Sequence, residues 1–195
     1  MSKYLILTSI FFPENAANAI RMRGLVDTLL EHGHHVDIVC SFPYYPGSKR
    51  EKRYLNKWFV KEKYRQARVL RCYVPERFSK KIFQRLATFF YFMVLSVIGT
   101  IRFFKGSYDA VLCISPPFFT AVSAYLIAKT KSCQWFFDIQ DLYPETALHL
   151  KMIRKGPVYF ALKLMELFKA SFFFTKPAQA FLSFHPGLKS LLPGC

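Results

Sequence analysis

Residues 3–41 read KYLILTSIFFPENAANAIRMRGLVDTLLEHGHHVDIVCS, and two changes of period within them decide the fold class. Lys3 to Ser9 is an apolar, β-rich run, closed by the turn residues Phe12-Pro13-Glu14-Asn15. From Ala16 the period becomes helical: Met22, Leu25, Val26 and Leu29 fall at i, i+3, i+4 and i+7, with Arg21 and Thr28 beside that stripe. Gly33 supplies the left-handed stop. His35 to Ser41 is the next strand, with Val36, Ile38 and Cys40 alternating with their neighbours early on. Strand, helix and strand in immediate succession form the βαβ unit of a parallel sheet. The opening run imitates a weak signal peptide, but Pro13-Glu14-Asn15 interrupts it and the helix begins inside the supposed cleavage region, so it reads as a first strand.

Downstream, Phe42-Pro43-Tyr44-Tyr45-Pro46-Gly47 is an aromatic, turn-rich loop. Its rings can stack on a sugar, or simply pack the loop down. Lys49 to Arg65 shows no clean period and is expected to form an irregular excursion. A strand over Arg68 to Tyr73 follows, ended by Pro75. Leu86 to Ile101 carries no charge and is flanked by Arg85 and Arg102. It falls short of the roughly twenty apolar residues a spanning helix needs, which favours a helix docked on a membrane surface or in the core. Asp109 to Ile114 reads as a strand, Phe118 to Lys131 as a helix, Pro157 to Phe174 as an apolar helix and Ala178 to Phe184 as a last strand. The pattern predicts a Rossmann-like, doubly wound α/β domain with a parallel sheet and helices on both faces, occupying residues 1–195 as a single unit.

The most polar feature follows the short apolar strand Trp135-Phe136-Phe137. Asp138, Gln140, Asp141, Pro144 and Glu145 crowd into one turn. Ligands of open α/β sheets bind just beyond the carboxyl ends of strands, where such acids can orient hydroxyls or move protons. A cap for the next helix is the simpler role, but a cap needs one acid and this turn carries three.

Charge is concentrated elsewhere. Of a formal net +16, the segment Lys49–Arg85 holds 14 lysines and arginines against three glutamates. Such a block attracts phosphate, on an anionic membrane or on nucleic acid. No nucleic-acid motif accompanies it, so nucleic acid is not an expected partner. The five cysteines are widely spaced, four of them in apolar runs, and read as buried free thiols of a reducing cytoplasm. His32, His34 and His35 straddle a helix end and a strand start, a solvated turn and not a metal site. Dinucleotide-binding, phosphate-loop and hydrolase-elbow motifs are all missing.

Several segments together resemble the N-terminal domain of family 4 glycosyltransferases of the GT-B fold, of the kind that assembles O-antigen, capsule or colanic-acid-like polysaccharides. They are Phe12-Pro13-Glu14 with Ala16-Ala17 and Arg21; Leu29 through Gly33-His34-His35-Val36; Phe42-Pro43-Tyr44-Tyr45-Pro46; Tyr108-Asp109-Ala110-Val111 leading to Ser115-Pro116-Pro117; and Asp138-Ile139-Gln140-Asp141-Leu142-Tyr143-Pro144-Glu145-Thr146-Ala147. Each is weak alone; their order and spacing over nearly the whole chain carry the resemblance.

It implies two Rossmann-like domains facing each other across a cleft. The N-terminal one binds an acceptor, and a C-terminal one binds a nucleotide-sugar donor through a basic residue and a pair of glutamates. Transfer is retaining and uses neither a metal nor another cofactor. Asp141 and Glu145 fall at the catalytic positions, with Glu14, Arg21, Tyr44, Tyr45, Ser115, Asp138 and Gln140 on the acceptor side. Two departures stand out: Gln140-Asp141 where many relatives have His-Asp, and Ala16-Ala17 where many have paired glycines. The donor domain does not follow within these residues. The chain is therefore expected to be an acceptor-binding half, inactive alone and completed by a donor domain elsewhere. Its expected partners are a nucleotide-sugar donor, a lipid-linked saccharide and an anionic membrane, with the chain cytoplasmic and peripheral on the inner face. The alternative is a non-catalytic membrane-surface or interaction protein that keeps the fold.

Overall fold

The computed structural model describes residues 1–44, 50–75, 82–114 and 119–138. Their elements are β1 (Lys3–Leu7), α1 (Ala17–Glu31), β2 (His35–Ser41), a 3₁₀ turn (Lys52–Tyr54), β3 (Phe59–Tyr64), β4 (Ala67–Cys72), α2 (Ile82–Phe103), β5 (Ala110–Ile114), α3 (Phe119–Lys131) and β6 (Gln134–Asp138). The helix and strand read from the sequence over 157–184 lie outside the described residues.

The sheet order is β3-β4-β2-β1-β5-β6. β4, β2, β1, β5 and β6 run parallel, with Leu5 opposite both Asp37 and Val111. The chain steps from β1 outward to β2, then crosses back from β4 over β1 to β5. Right-handed crossovers in these opposite directions place α1 on one face and α2 and α3 on the other. This is a Rossmann-like α/β sheet with helices on both faces. Its central strands are apolar almost throughout, because both their faces are covered.

α1 buries Ala19, Met22, Leu25, Val26 and Leu29, the apolar stripe of the sequence. It ends where Gly33 takes φ +76°, the left-handed conformation that glycine adopts without a Cβ clash. His34 N–H then closes on Leu29 O at 3.0 Å.

The stretch expected to be irregular instead contains β3, an edge strand paired antiparallel to β4 from Phe59↔Cys72 to Tyr64↔Ala67. The sheet is therefore mixed, not wholly parallel. A tight turn at Arg65, with φ +49°, joins the two strands. Phe59 packs against the core while Lys61 and Lys63 reach solvent. The lysines mask the alternation in sequence because their neighbours Glu62 and Tyr64 are polar too.

The core lies between the sheet and the α2–α3 pair, from Leu7, Val39 and Leu70 to Phe92, Ala124 and Ile127. α2 turns small or hydroxylated residues inward: Thr88, Ser96 and Thr100 are buried. Their hydroxyls return to the helix's own carbonyls, Thr100 to Ser96 O at 2.7 Å, so burial leaves them satisfied. Gly99 lets the helix approach closely; a Cβ there would sit 2.8 Å from the Phe59 ring and 2.9 Å from Leu70.

At the amino ends of the strands, buried Asp37 accepts hydrogen bonds from Arg68 Nε at 2.7 Å and Tyr108 Oη at 2.6 Å, with Lys3 Nζ 3.9 Å away. Burial, and that bond to Asp37, raise the Tyr108 phenol above its ordinary pKa, so it stays a donor.

Candidate functional site at the carboxyl edge

β1 leads to α1 on one face of the sheet and β5 to α3 on the other. That divergence is the switch point at which open α/β sheets accept ligands, outside the carboxyl ends of their strands. The residues marked in the sequence sort themselves around it.

Asp138 is the last residue of β6 and pairs in register with Ile114 of β5. Arg21, from the first turns of α1, places Nη2 3.0 Å from Asp138 Oδ2. The two side chains are 35% and 23% exposed, although the Asp138 Oδ2 that faces Arg21 is itself buried. Together they offer hydrogen-bond donors and a carboxylate acceptor side by side, the pairing that suits adjacent hydroxyl groups.

Glu14 and Tyr44 meet as well, in a different way. Glu14 is only 3% exposed, and its Oε1 accepts the backbone N–H of Tyr44 at 2.9 Å. This contact clamps the loop after β1 to the loop after β2. The Tyr44 ring is 8% exposed and belongs to the core cluster, the packing alternative left open by the sequence. Ser41 Oγ, at the end of β2, also donates to Ser9 O at 2.5 Å, a second tie on the loop after β1. Tyr45, Ser115, Gln140, Asp141 and Glu145 lie outside the described residues.

Sequence reasoning passed over the group that supports these loops. Arg71, on β4, is 2% exposed. Its Nε donates to Glu62 Oε2 at 2.7 Å, Nη1 to Ser41 O at 3.1 Å, and Nη2 to Phe12 O. Tyr54 Oη donates to the second Glu62 oxygen at 2.6 Å. Burial works against the Arg71 charge, but Cys40, Glu62 and Tyr54 outweigh it and hold the guanidinium above its ordinary pKa. Burial likewise opposes the Glu62 carboxylate, and the bonds from Arg71 and Tyr54 carry it below its ordinary value. The one signal in the sequence was a second arginine inside the otherwise apolar strand ARVLRC.

The thiols nearby are not nucleophiles. Burial pushes Cys40 up to about 12, and burial with the adjacent Asp138 charge keeps Cys113 well above its usual range. Among the described residues no cluster of three metal-ligating side chains occurs. A hollow of about 300 Å³ beside Asp37, lined by Lys3, His34, His35 and Arg68, opens at the amino ends of the strands, the opposite edge from Asp138.

No protein-family model matches the chain, and no curated protein matches it. Nine chains of solved structures are similar. One is described as trehalose-6-phosphate from E. coli bound with UDP-2-fluoro glucose, 12% identical, with a TM-score of 0.49 over 83% of this chain. This chain spans 37% of the length of that one. At that level of likeness the fold assignment rests on the strand order and crossovers described above.

Proposed function

We propose that residues 1–195 form the acceptor-side half of a retaining glycosyltransferase, whose nucleotide-sugar donor domain lies outside these residues. The acceptor is a lipid-linked saccharide of cell-surface polysaccharide synthesis. The observation that carries this reading is the contact between Arg21 and Asp138. The family resemblance marks both residues on separate segments, and they meet, both partly exposed, at the carboxyl edge beside the switch point.

In the reaction, an acceptor hydroxyl bonds to the anomeric carbon of the donor sugar while the nucleoside diphosphate leaves with the electron pair of the broken C–O bond. Arg21 and Asp138 hold the acceptor's hydroxyls, so that the attacking oxygen is presented in one geometry. Asp141 and Glu145 are the acids assigned to its proton. The Glu14–Tyr44 clamp and Arg71 act through the loops and not on the substrate.

Titration of the purified chain with a water-soluble, short-prenyl diphosphate-linked saccharide tests this reading. Saturable binding is expected, weakened about tenfold by Arg21→Ala or Asp138→Asn, the loss of one good charged hydrogen bond. Adding the donor domain and a labelled nucleotide sugar should then yield labelled lipid. Asp141→Asn or Glu145→Gln should lower that transfer by about 10²–10⁴-fold. No saccharide binding, or binding unchanged in both Arg21 and Asp138 variants, overturns the assignment.

A further inference from the structure

We propose that the outward face of α2, with Trp58 and Tyr91 at its first half, docks on an anionic lipid bilayer with the helix lying in the membrane plane. This deepens the reading above, in that a lipid-linked acceptor must be met at a bilayer.

The helix is apolar on both sides. Phe92 is buried with the small or hydroxylated Thr88, Ser96, Gly99 and Thr100, and Leu95, Val97 and Phe103 pack partly against the core, while Leu86, Phe90, Val94, Ile98 and Ile101 point outward at i, i+4, i+8, i+12 and i+15. Phe90 is 54% exposed, Ile98 48% and Ile101 50%. A water-facing helix surface normally carries charge, and this ridge continues for about 22 Å without any. Sustained exposed apolar surface marks a binding face.

The surroundings specify the occupant. Trp58, itself 59% exposed, packs edge-on against Tyr73 at 5.3 Å, and Tyr73 against Tyr91 at 5.9 Å. Amphipathic aromatic rings of this kind settle at the headgroup level of a bilayer. Cations line the same flank. Lys61 Nζ lies 4.5 Å from the Phe103 ring, the Arg102 guanidinium 5.5 Å from it, and that of Arg50 5.6 Å from the Tyr73 ring. Among the described residues of the neighbouring segment, the acids are already engaged, Glu51 with Arg53 at 2.9 Å and Glu62 with Arg71 at 2.7 Å. An apolar ridge bordered by aromatics and cations complements anionic headgroups over acyl chains.

The topology decides between lying on the bilayer and crossing it. By length and composition Leu86–Phe103 could span. Yet α2 is the crossover between β4 and β5, and Phe92, Gly99 and Thr100 are packed against the rest of the domain. Crossing would strip the core face of the sheet. Because α2 follows the carboxyl end of β4, its Tyr91 end lies towards the edge that holds Arg21 and Asp138. The docked domain therefore opens its site at membrane level.

Vesicles test this in a Trp135→Phe protein, which leaves Trp58 as its single tryptophan. The chain should cosediment with phosphatidylcholine–phosphatidylglycerol vesicles more than with phosphatidylcholine alone, and less as salt rises. Trp58 emission should shift to shorter wavelength and be quenched by brominated lipid. The variant Phe90→Ser/Val94→Ser/Ile98→Ser should keep its circular dichroism and urea midpoint but bind at least about tenfold more weakly, given the apolar area removed. Wild-type indifference to the vesicles, or a triple variant that binds like wild type, overturns the proposal. So does self-association in sedimentation equilibrium that the triple variant abolishes, since a second copy then covers the ridge. These vesicles contain no saccharide. Vesicle binding without acceptor binding removes the sugar-transfer reading and leaves docking intact; the opposite result removes docking alone.

Discussion

The guanidinium of Arg71 donates a hydrogen bond to the main-chain carbonyl of Phe12, tying the fourth strand to the loop that leaves the first. The same side chain holds Ser41 O and Glu62, so one buried cation ties a site loop to the end of β2 and the edge strand.

Arg71→Leu is expected to destabilise the chain by about 3–5 kcal/mol, because it strands a largely buried carboxylate and two carbonyls. Adding Glu62→Leu should recover much of that loss, since removing both partners leaves no orphaned charge. Arg71→Lys keeps the charge but not the planar fork, and should fall between wild type and the leucine variant. Urea denaturation of the four proteins measures the ordering; a leucine variant as stable as wild type would refute it.

Arg21 and Asp138 should behave in the opposite way. Their ion pair is partly exposed, and pairs of that kind contribute only about 0–1 kcal/mol. Asp138→Asn is therefore expected to shift the urea midpoint little while weakening acceptor binding. A variant that unfolds readily yet binds as before would make Asp138 a structural residue.

Acid should loosen the chain through Glu62. Its folded-state pKa lies below the ordinary carboxylate value, so its contribution is complete above about pH 4.3. That contribution disappears as pH falls further, through the lowered folded value. Urea midpoints measured from neutral pH downward should show a steep acid limb in wild type and a shallower one in Glu62→Gln. Parallel limbs in the two proteins would assign the acid sensitivity to other carboxylates.

Gly99 sets the distance between α2 and the sheet. An alanine there gains about 1 kcal/mol of helix propensity. It also forces a Cβ to within 2.8 Å of Phe59 and 2.9 Å of Leu70, and overpacking of this kind costs about 1–3 kcal/mol. The expected net effect of Gly99→Ala is a loss of about 1 kcal/mol, with Gly99→Val losing more. Thermal melts decide it, and a stabilised alanine variant would show that Phe59 yields freely.

How much could be read in advance depended on whether the cause was local. The α1 stripe, the Gly33 stop and the strands β1, β2, β4, β5 and β6 each declare themselves within a few residues, through one clear period or one backbone requirement. β3 did not, because its outward lysines and the polar Glu62 and Tyr64 hide the alternation. Its pairing partner also comes later in the chain. At the site, the motif residues Arg21 and Asp138 were visible, though only the strand order shows that they meet. Arg71 could be seen as an oddity, but its role depends on a carbonyl at Phe12, and a carbonyl has no side-chain signature. For Tyr44 nothing in the sequence distinguishes stacking from packing, since the same ring serves both; in the folded chain it is buried behind the Glu14 clamp.

β3 has one more effect, at the rim of the sheet. An edge strand presents unpaired amide and carbonyl groups, a template on which another copy of the chain can add a strand and begin an aggregate. Here that border carries Lys61 and Lys63, both exposed, and Arg65 at the turn, which Asp27 and Glu31 engage at 3.4 and 3.6 Å. A second copy arriving edge to edge would bring like charges together at close range. A chain that is 52% hydrophobic thus has one sheet margin along which lateral growth is electrostatically opposed.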